Sequence, residues 1–383
     1  MTESAIIDTS ASVEFSLPRR LVMRVCRAFN AVFGFISLVV FLAVVSAIPL
    51  LNLLSLGYLL ESSARVARSG RLRDGMIGLS EFARAGTIAL GIWLWILPIR
   101  LTLSFLRDAW LVDPESPAVT NLRILLVLLV VVIGIHLVWA VIRGGKARHF
   151  IWPAPVRFFH WIGEKRDWRG TGRKISKFFR GMRLLSVWKT GALGFLGAAI
   201  WLAVPVLILI LASTASNTGI SALGSLLGAI LLGIAVFYLP FLQTRFAMTG
   251  QFREFFSRLG VRTLFRRAPI AMFVALFATL LFAVPLYLLK IELTPQEVAW
   301  LTNLVFVLFI LPARLLVGWA VARADRAERD RIWISRWSAR LLAIPVVAGY
   351  AFIVWLTQYL TWHGAFGMIE QHAFLVPAPL LGL

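Results

Sequence analysis

The sequence has few charged residues, and the charges that it has are mainly positive. Charged residues make up 15% of the 383 residues, while hydrophobic residues make up 60%. A soluble domain has about 25% charged and about 45–50% apolar residues. The shortage of charge excludes a soluble enzyme, a disordered tail protein and a fibrous repeat. It indicates a protein that is surrounded mainly by lipid.

Cysteine and the common catalytic motifs are also scarce. The single cysteine, Cys26, excludes a disulfide within the chain. The sequence has no zinc pattern, no His-Glu-x-x-His, no Gly-x-Ser-x-Gly and no phosphate-binding loop. No two carboxylates share an apolar run, so no acid–base pair is available within one span. We therefore expect no catalytic residue, no metal site and no cofactor.

Apolar runs long enough to cross a membrane are the main feature of the chain. A transmembrane helix needs about 20 apolar residues, and a backbone in lipid must satisfy its own hydrogen bonds. The seven runs that qualify are 85–106, 122–142, 190–212, 222–242, 270–289, 300–322 and 341–360. The sequence therefore predicts an all-α polytopic membrane protein in which residues 29–383 form a single transmembrane domain.

The basic residues lie in segments that alternate along the chain. Of the 39 lysines and arginines, 34 lie in 1–28, 61–84, 143–189, 243–268 and 323–340. The positive-inside rule places such segments in the cytoplasm. We therefore predict a cytoplasmic N-terminal segment, residues 1–28, and a C-terminus on the opposite, periplasmic side.

The first apolar stretch, residues 29–60, has the wrong length for a regular span. As one helix it would be about 48 Å long, too long for one crossing and too short for two. Pro49 and Asn52 interrupt it. Since basic segments flank both ends, we predict a re-entrant helical hairpin that bends near Pro49. One long crossing helix is the alternative. A leader peptide cleaved near Ala47 is a further alternative, but the apolar run continues past Ala47, which is not typical of a cleavage site.

Several basic segments end in an amphipathic stretch before the next span. In residues 173–188 apolar side chains recur at helical spacing, which predicts an interfacial helix bound to anionic lipid headgroups. Its charged face consists of Arg173, Lys174, Lys177, Arg180 and Arg183. Residues 252–265 repeat this pattern, and residues 73–84 and 326–340 do so more weakly. Membrane lipid accounts for the mixture of arginine and tryptophan here, so we expect no nucleic acid partner.

Three pairs of spans share a further pattern. Each pair follows an amphipathic stretch, and its first span contains a proline in the outer half, namely Pro98, Pro205 and Pro285. The pattern indicates a repeated unit of interfacial helix, kinked span, turn and return span. The alternative is that prolines are simply common in membrane helices.

Ionisable residues inside the spans are the candidate functional residues. Arg100 and Arg314 each follow a proline by two residues and could line a cavity for an anion or a lipid phosphate. Alternatively, these arginines snorkel or satisfy the kinked helices. His136 could relay protons or contact such a ligand, or it could simply hydrogen-bond between helices.

Small residues recur within two of the predicted spans. Gly191, Gly194 and Gly197 follow one another at intervals of three, and Gly224 precedes Gly228 by four residues. Without side chains, these positions let neighbouring helices approach closely, so we expect tight helix packing here.

One short region resembles a known family. The segments Ile48-Pro49-Leu50-Leu51-Asn52, Leu56-Gly57-Tyr58-Leu59 and Arg71-Leu72-Arg73-Asp74-Gly75 resemble the start of an uncharacterised family of bacterial polytopic membrane proteins. The resemblance covers about a fifth of the chain. It implies a bent first element and a bacterial inner-membrane location, and it implies no catalytic residues.

These observations favour a non-enzymatic inner-membrane protein. We expect it to bind or move an anionic or amphiphilic molecule, or to organise lipid at the cytoplasmic leaflet, with membrane lipids and anionic headgroups as its partners. A structural subunit with a membrane protein partner is the first alternative. An intramembrane enzyme that acts on lipid is the second.

Overall fold

The computed structural model describes residues 17–163, 172–173, 176, 183–284, 299–360, 364–370 and 372. Within these residues the protein is all-α and has no strand. In chain order the α-helices are α1 (Leu17–Ser46), α2 (Asn52–Ser69), α3 (Leu79–Val112), α4 (Pro117–Ile142), α5 (Ala147–Ile151), α6 (Pro155–Gly163), α7 (Leu184–Thr214), α8 (Thr218–Thr249), α9 (Arg258–Arg267), α10 (Pro269–Leu281), α11 (Ala299–Asp325), α12 (Trp333–Leu360) and α13 (Gly367–Glu370). Among the described residues, short 3₁₀ helices cover Leu72–Gly75, Phe252–Phe256 and Gly364–Phe366.

Seven of the described helices are long and apolar enough to cross a membrane. They comprise Arg24–Ser46 of α1, Trp300–Asp325 of α11, and the whole of α3, α4, α7, α8 and α12. Six of these contain a span that the sequence predicts. The polytopic helical membrane fold is therefore confirmed, although the set of spans differs at two places.

The predicted span 270–289 is the first difference. Its described part runs to residue 284 and contains most of α10, which ends at Leu281 and forms a pair with α9 that bends by 114° at Ala268. Together the two helices pass the same test of length and composition, so the pair is an eighth candidate span or a re-entrant loop. Pro285, the proline of the third predicted unit, lies outside the described residues.

The first apolar stretch is the second difference. A single helix over 29–60 is wrong, because α1 ends at Ser46 and α2 begins at Asn52. The break contains Pro49, which has no N–H group, and Leu50, whose φ of 67° is left-handed. The helix is thus interrupted near Pro49 as the sequence predicts, but α1 starts earlier than residue 29 and α2 extends past residue 60, and the bent hairpin itself stays a prediction. The entry and exit of this stretch on one membrane face stays a prediction.

The amphipathic stretches are shorter than the sequence predicts. In place of one helix over 252–265, the 3₁₀ helix Phe252–Phe256 precedes α9, which buries Val261, Leu264 and Phe265. Residues 73–84 divide between the 3₁₀ helix Leu72–Gly75 and the start of α3, and residues 326–340 lead into α12.

The described helices belong to two compact units. The first unit contains α1 up to Ser37 together with residues from Leu79 to Phe158. The second contains residues from Leu38 to Gly78 and the described residues from Phe159 onward. The single transmembrane domain predicted from the sequence stays a prediction.

In the second unit, α2 is the central helix and packs against α7, α8 and α11. Most of its residues are buried, including three serines and an asparagine. α7 and α8 form a hairpin, in which the side chain of Asn217 accepts hydrogen bonds from the first amides of α8. The predicted close packing at the glycines is confirmed: a Cβ at Gly224 or Gly228 would lie 2.7–2.8 Å from a side-chain carbon of α7.

In the first unit, α3 and α4 form a hairpin whose connection is the four residues between Val112 and Pro117. After α4, Gly144 and Gly145 have φ values of 111° and 63°, which favour glycine. The chain then turns back, and α5 packs against both α3 and α4.

Candidate functional site

The segment that returns along α3 and α4 is held by side chains that bond to its backbone carbonyls. The indole N–H of Trp95 donates to the carbonyl of Phe150 over 2.9 Å. The Nε2 of His136 lies 2.9 Å from the same oxygen. Because a carbonyl only accepts, Nε2 carries the proton. The indole of Trp139 donates to the carbonyl of Pro153 over 2.9 Å.

Two arginines add to this arrangement. The Nη2 of Arg143 donates to the carbonyls of His149 and Trp152, over 2.6 and 2.7 Å. The Nε of Arg84, from α3, donates to the carbonyl of Gly144 over 2.7 Å. The backbone of the segment from Gly144 to Pro153 is thereby fixed at five carbonyls, which makes it a rigid connection.

This connection concentrates positive charge. Lys146, Arg148 and Arg84 are exposed, and Arg143 is half-buried. His149 is buried among them. Burial lowers the pKa of His149 below its usual range, and the charges of the four cations lower it further. We call Arg84, Arg143, Lys146 and Arg148 the cationic cluster.

His149 is expected to make the stability of this connection depend on pH. The amide N–H of Lys146 donates to its Nδ1 over 3.3 Å, so protonation of Nδ1 would remove that bond. Folding lowers the pKa of His149, so neutral His149 stabilises the folded protein. This contribution to the free energy of unfolding is complete above the unfolded pKa of about 6.5. It is lost as the pH falls through the folded value.

The measurement is the thermal unfolding temperature of the purified protein between pH 7.5 and pH 5. His149→Asn, whose side-chain oxygen accepts at the same place without titrating, should lose less stability on acidification than the wild type. We expect a difference below about 1 kcal/mol. His160→Asn, at an exposed histidine of α6, is the matched control and should behave as the wild type. Equal acid sensitivity in all three proteins would contradict the assignment.

The second unit contains the same tryptophan–carbonyl bond. The indole of Trp201, in α7, donates to the carbonyl of Phe255 over 3.0 Å. Trp201 lies 54 residues before Phe255, and Trp95 lies 55 residues before Phe150. In both cases the phenylalanine lies on a short helix that follows the hairpin.

A glycine accompanies each tryptophan, four residues before it in the sequence. A Cβ at Gly91 would lie 2.5 Å from the ring of Phe150, and a Cβ at Gly197 would lie 2.5 Å from the ring of Phe255. Each glycine therefore makes room for the phenylalanine ring whose carbonyl the tryptophan binds. This shared geometry supports the repeated unit in the first two of the three predicted pairs.

The interior of the second unit is unusually polar. Ser63 and Thr244 hydrogen-bond through their hydroxyls over 2.8 Å, and Thr244 also donates to the carbonyl of Pro240. Asn52 and Ser55, on α2, are completely or almost completely buried. Neither the amide atoms of Asn52 nor the hydroxyl of Ser55 has a hydrogen-bond partner among the described residues.

The predicted site residues have different surroundings. Arg314 is only 1% exposed and lies in α11 of the second unit. Arg100 lies in α3 of the first unit and is exposed, which agrees with the snorkelling alternative. Their common cavity stays a prediction. His136 is buried and bonds to the carbonyl of Phe150, which is the helix-to-helix hydrogen bond of the alternative interpretation.

The predicted basic interfacial helix lies mostly outside the described residues, including Lys174, Lys177 and Arg180. Arg173 is helical and exposed. Arg183 has a φ of 50° and immediately precedes α7. The role of this segment stays a prediction.

Sequence reasoning missed the cationic cluster and the paired phenylalanines. In the sequence Lys146 and Arg148 resemble any other basic loop residues, and only the bonds of Arg143 to carbonyls just after them show that this part of the chain is held in place. The glycine four residues before Trp95 and Trp201 is visible in the sequence, but the phenylalanine partners are about 55 residues away. No local pattern links such distant positions.

No protein-family model, curated protein or solved structure matches this chain. The resemblance of residues 48–75 to a bacterial membrane protein family therefore stays a prediction. Among the residues that the structure describes, no group of three or more His, Cys, Asp or Glu side chains could hold a metal ion.

Proposed function

We propose that this integral membrane protein binds anionic lipid headgroups through the cationic cluster, without catalysing a reaction. The observation that carries the proposal is the rigid connection after α4, which holds four cations around one buried histidine. The backbone that carries Lys146 and Arg148 is held by hydrogen bonds, so these cations stay close to Arg84 and Arg143 before an anion binds, and less ordering is needed on binding.

Apolar side chains beside the cluster support a lipid as the ligand. Ile151, Trp152 and Val156 follow directly along the chain and are highly exposed. Exposed apolar groups next to cations are typical of segments at the level of lipid headgroups, where the apolar groups contact acyl chains. A soluble anion would gain nothing from these neighbours, whereas a phospholipid would contact both parts.

The distribution of basic residues along the chain indicates on which membrane face the cationic cluster lies. Arg84 ends the segment 61–84 and the other three members of the cluster lie in 143–189, and these are two of the five segments that hold 34 of the 39 basic residues. Near an anionic leaflet each basic side chain contributes about 1 kcal/mol of attraction. We propose that this face is the cytoplasmic face of a bacterial inner membrane, with the N-terminus on it.

Substituting the two exposed cations should weaken binding of anionic lipid. Lys146→Gln with Arg148→Gln removes two exposed charges and keeps long polar side chains, so the fold should persist. At about 1 kcal/mol for each charge, affinity for phosphatidylglycerol should fall about thirtyfold. The measurement is native mass spectrometry of the purified protein titrated with phosphatidylglycerol and, separately, with phosphatidylcholine.

The matched control is Arg107→Gln with Arg123→Gln. It removes the same charge from exposed side chains at the opposite ends of α3 and α4. This variant should bind phosphatidylglycerol as the wild type does. If both double variants bound it equally well, the cationic cluster would not be the headgroup site.

A further inference from the structure

We propose that the headgroup of an anionic phospholipid binds to the second unit where Arg258 and Arg262 of α9 contact Trp201 of α7 and Tyr238 of α8. We call Arg258 and Arg262 the arginine pair. The inference goes beyond the proposed function, because the arginine pair belongs to a different unit from the cationic cluster and shares no residue with it.

Aromatic side chains of the α7–α8 hairpin hold the arginine pair in place. The guanidinium of Arg258 lies over the ring of Trp201, with its central carbon 5.6 Å from the ring centroid. The Nε of Arg262 donates to the hydroxyl of Tyr238 over 3.1 Å. The two rings are neighbours, with centroids 6.3 Å apart. Because Arg262 follows Arg258 by one turn, both side chains lie on the same side of α9.

These contacts leave the charge of the arginine pair uncompensated. A tryptophan ring and a tyrosine hydroxyl are uncharged. Glu254 is the only acidic residue between 251 and 268, and it forms an ion pair with Arg245 over 2.9 Å. Among the described residues, neither member of the pair forms an ion pair. Both members are exposed, and a guanidinium has five N–H donors, so several donors remain for an anion.

α9 lies where the exposed apolar surface of α8 ends. The ring of Phe265 in α9 stacks on Phe237 of α8, with centroids 4.6 Å apart. The last highly exposed apolar side chain of α8 is Ile234, and residues 235–248 are all buried or half-buried. Tyr238 lies twenty residues after the first residue of α8, about 30 Å along the helix, which equals the thickness of the hydrocarbon core. The arginine pair therefore lies at the level of the headgroups.

The bend between α9 and α10 fits a helix at the membrane surface that leads into a span. The direction of the chain changes by 114° between the two helices. α10 exposes one apolar side chain on almost every turn, which is typical of a helix that crosses lipid; they are Ile270, Val274, Phe277 and Leu281. When α10 crosses the membrane, a bend of this size leaves α9 close to the membrane plane, with its charged side at the headgroups.

Exposed apolar side chains beside the arginine pair favour a phospholipid over a free anion. Phe256 is 56% exposed and Leu259 is 75% exposed, and both lie within two residues of Arg258. A phosphate would accept charge-assisted hydrogen bonds from the two guanidinium groups. The acyl chains of the same molecule would cover the apolar side chains, which a free phosphate would leave uncovered.

The test is hydrogen exchange, measured by mass spectrometry, of the full-length protein in detergent. The probes are dihexanoyl phosphatidylglycerol, dihexanoyl phosphatidylcholine and sodium phosphate at equal ionic strength. Phosphatidylglycerol should slow exchange of the α9 amides, because a ligand that binds the folded segment opposes its local opening. Phosphatidylcholine, whose choline is positively charged, should do so only at higher concentration.

Arg258→Gln with Arg262→Gln is the informative variant. Both side chains are exposed, so the fold should persist. The phosphatidylglycerol concentration that gives half of the slowing should rise at least about tenfold, because charge-assisted hydrogen bonds are lost. Arg71→Gln with Arg73→Gln is the matched control, since it removes two exposed arginines from the same unit. It should keep the wild-type midpoint.

Arg258→Lys with Arg262→Lys tests the guanidinium groups separately from their charge. A lysine cannot reproduce the planar fork that holds a phosphate, so this variant should also bind more weakly than the wild type. A wild-type midpoint in the lysine variant would contradict a site built from two guanidinium groups.

Three further results would overturn the proposal. One is α9 exchange in the wild type that phosphatidylglycerol does not slow, and another is an unchanged midpoint in Arg258→Gln with Arg262→Gln. The third is slowing by sodium phosphate alone, which would exclude a lipid as the ligand. Lys146→Gln with Arg148→Gln should keep the α9 response, so a failure of the cationic cluster remains distinguishable from a failure of the arginine pair.

Discussion

Alanine at Gly57 or at Gly191 is expected to destabilise the folded protein by about 3 kcal/mol. A Cβ at Gly57 would overlap the carbonyl oxygen of Val187, and a Cβ at Gly191 would overlap the carbonyl oxygen of Leu53. Both obstacles are backbone atoms within helices, which cannot rotate away as a side chain can. α2 and α7 would therefore have to separate along their length, and the other contacts of α2 would be lost with this one.

The measurement is the thermal unfolding temperature of each purified variant in detergent, together with its yield as a monodisperse species. Gly349→Ala is the matched control, because it is also a glycine within a long helix of the second unit but has nothing within 4 Å of its Cβ position. In that place alanine should be neutral or slightly stabilising, given its higher helix propensity. Equal unfolding temperatures for Gly57→Ala and Gly349→Ala would contradict the close contact of α2 and α7.

The central place of α2 shows what the sequence could and could not predict. Long apolar runs identify α3, α4, α7, α8, α11 and α12, because the length of a span follows directly from bilayer thickness. α2 begins in the apolar run but ends in Glu61, Arg65 and Arg68, so it resembles an interfacial segment. Its burial depends on contacts with α7, α8 and α11, and these come from distant parts of the chain.

The candidate site residues show the same limit. A buried arginine in a span is predictable from the cost of an exposed charge in lipid, and Arg314 is buried as that argument requires. The sequence identifies Asn52 only as part of the break, and it does not distinguish Ser55 from the apolar residues around it. A serine or an asparagine in an apolar run gives no indication of which neighbour it faces. Their burial becomes visible only once α2 is packed against α7, α8 and α11.

A double-mutant cycle should show that Gly197 and Phe255 are energetically coupled. Gly197→Ala is expected to cost about 1–3 kcal/mol, since its Cβ would displace the ring of Phe255. Phe255→Ala removes a completely buried ring and should cost about 3–5 kcal/mol. In the double variant the new Cβ occupies part of the space left by the ring. The combined cost should therefore be lower than the sum by about 1 kcal/mol or more.

The same cycle with Gly91→Ala and Phe150→Ala tests the repeat, because the first unit has the same contact. Controls replace the exposed neighbour of each phenylalanine, so that Gly197→Ala is combined with Phe256→Ala and Gly91→Ala with Ile151→Ala. These pairs should be additive within about 0.5 kcal/mol. Coupling in both units and additivity in both controls would mean that two hairpins of low sequence similarity depend on the same glycine–phenylalanine contact. Coupling in one unit alone would contradict the repeat, and the similar tryptophan–phenylalanine spacing in the two units would then be a coincidence.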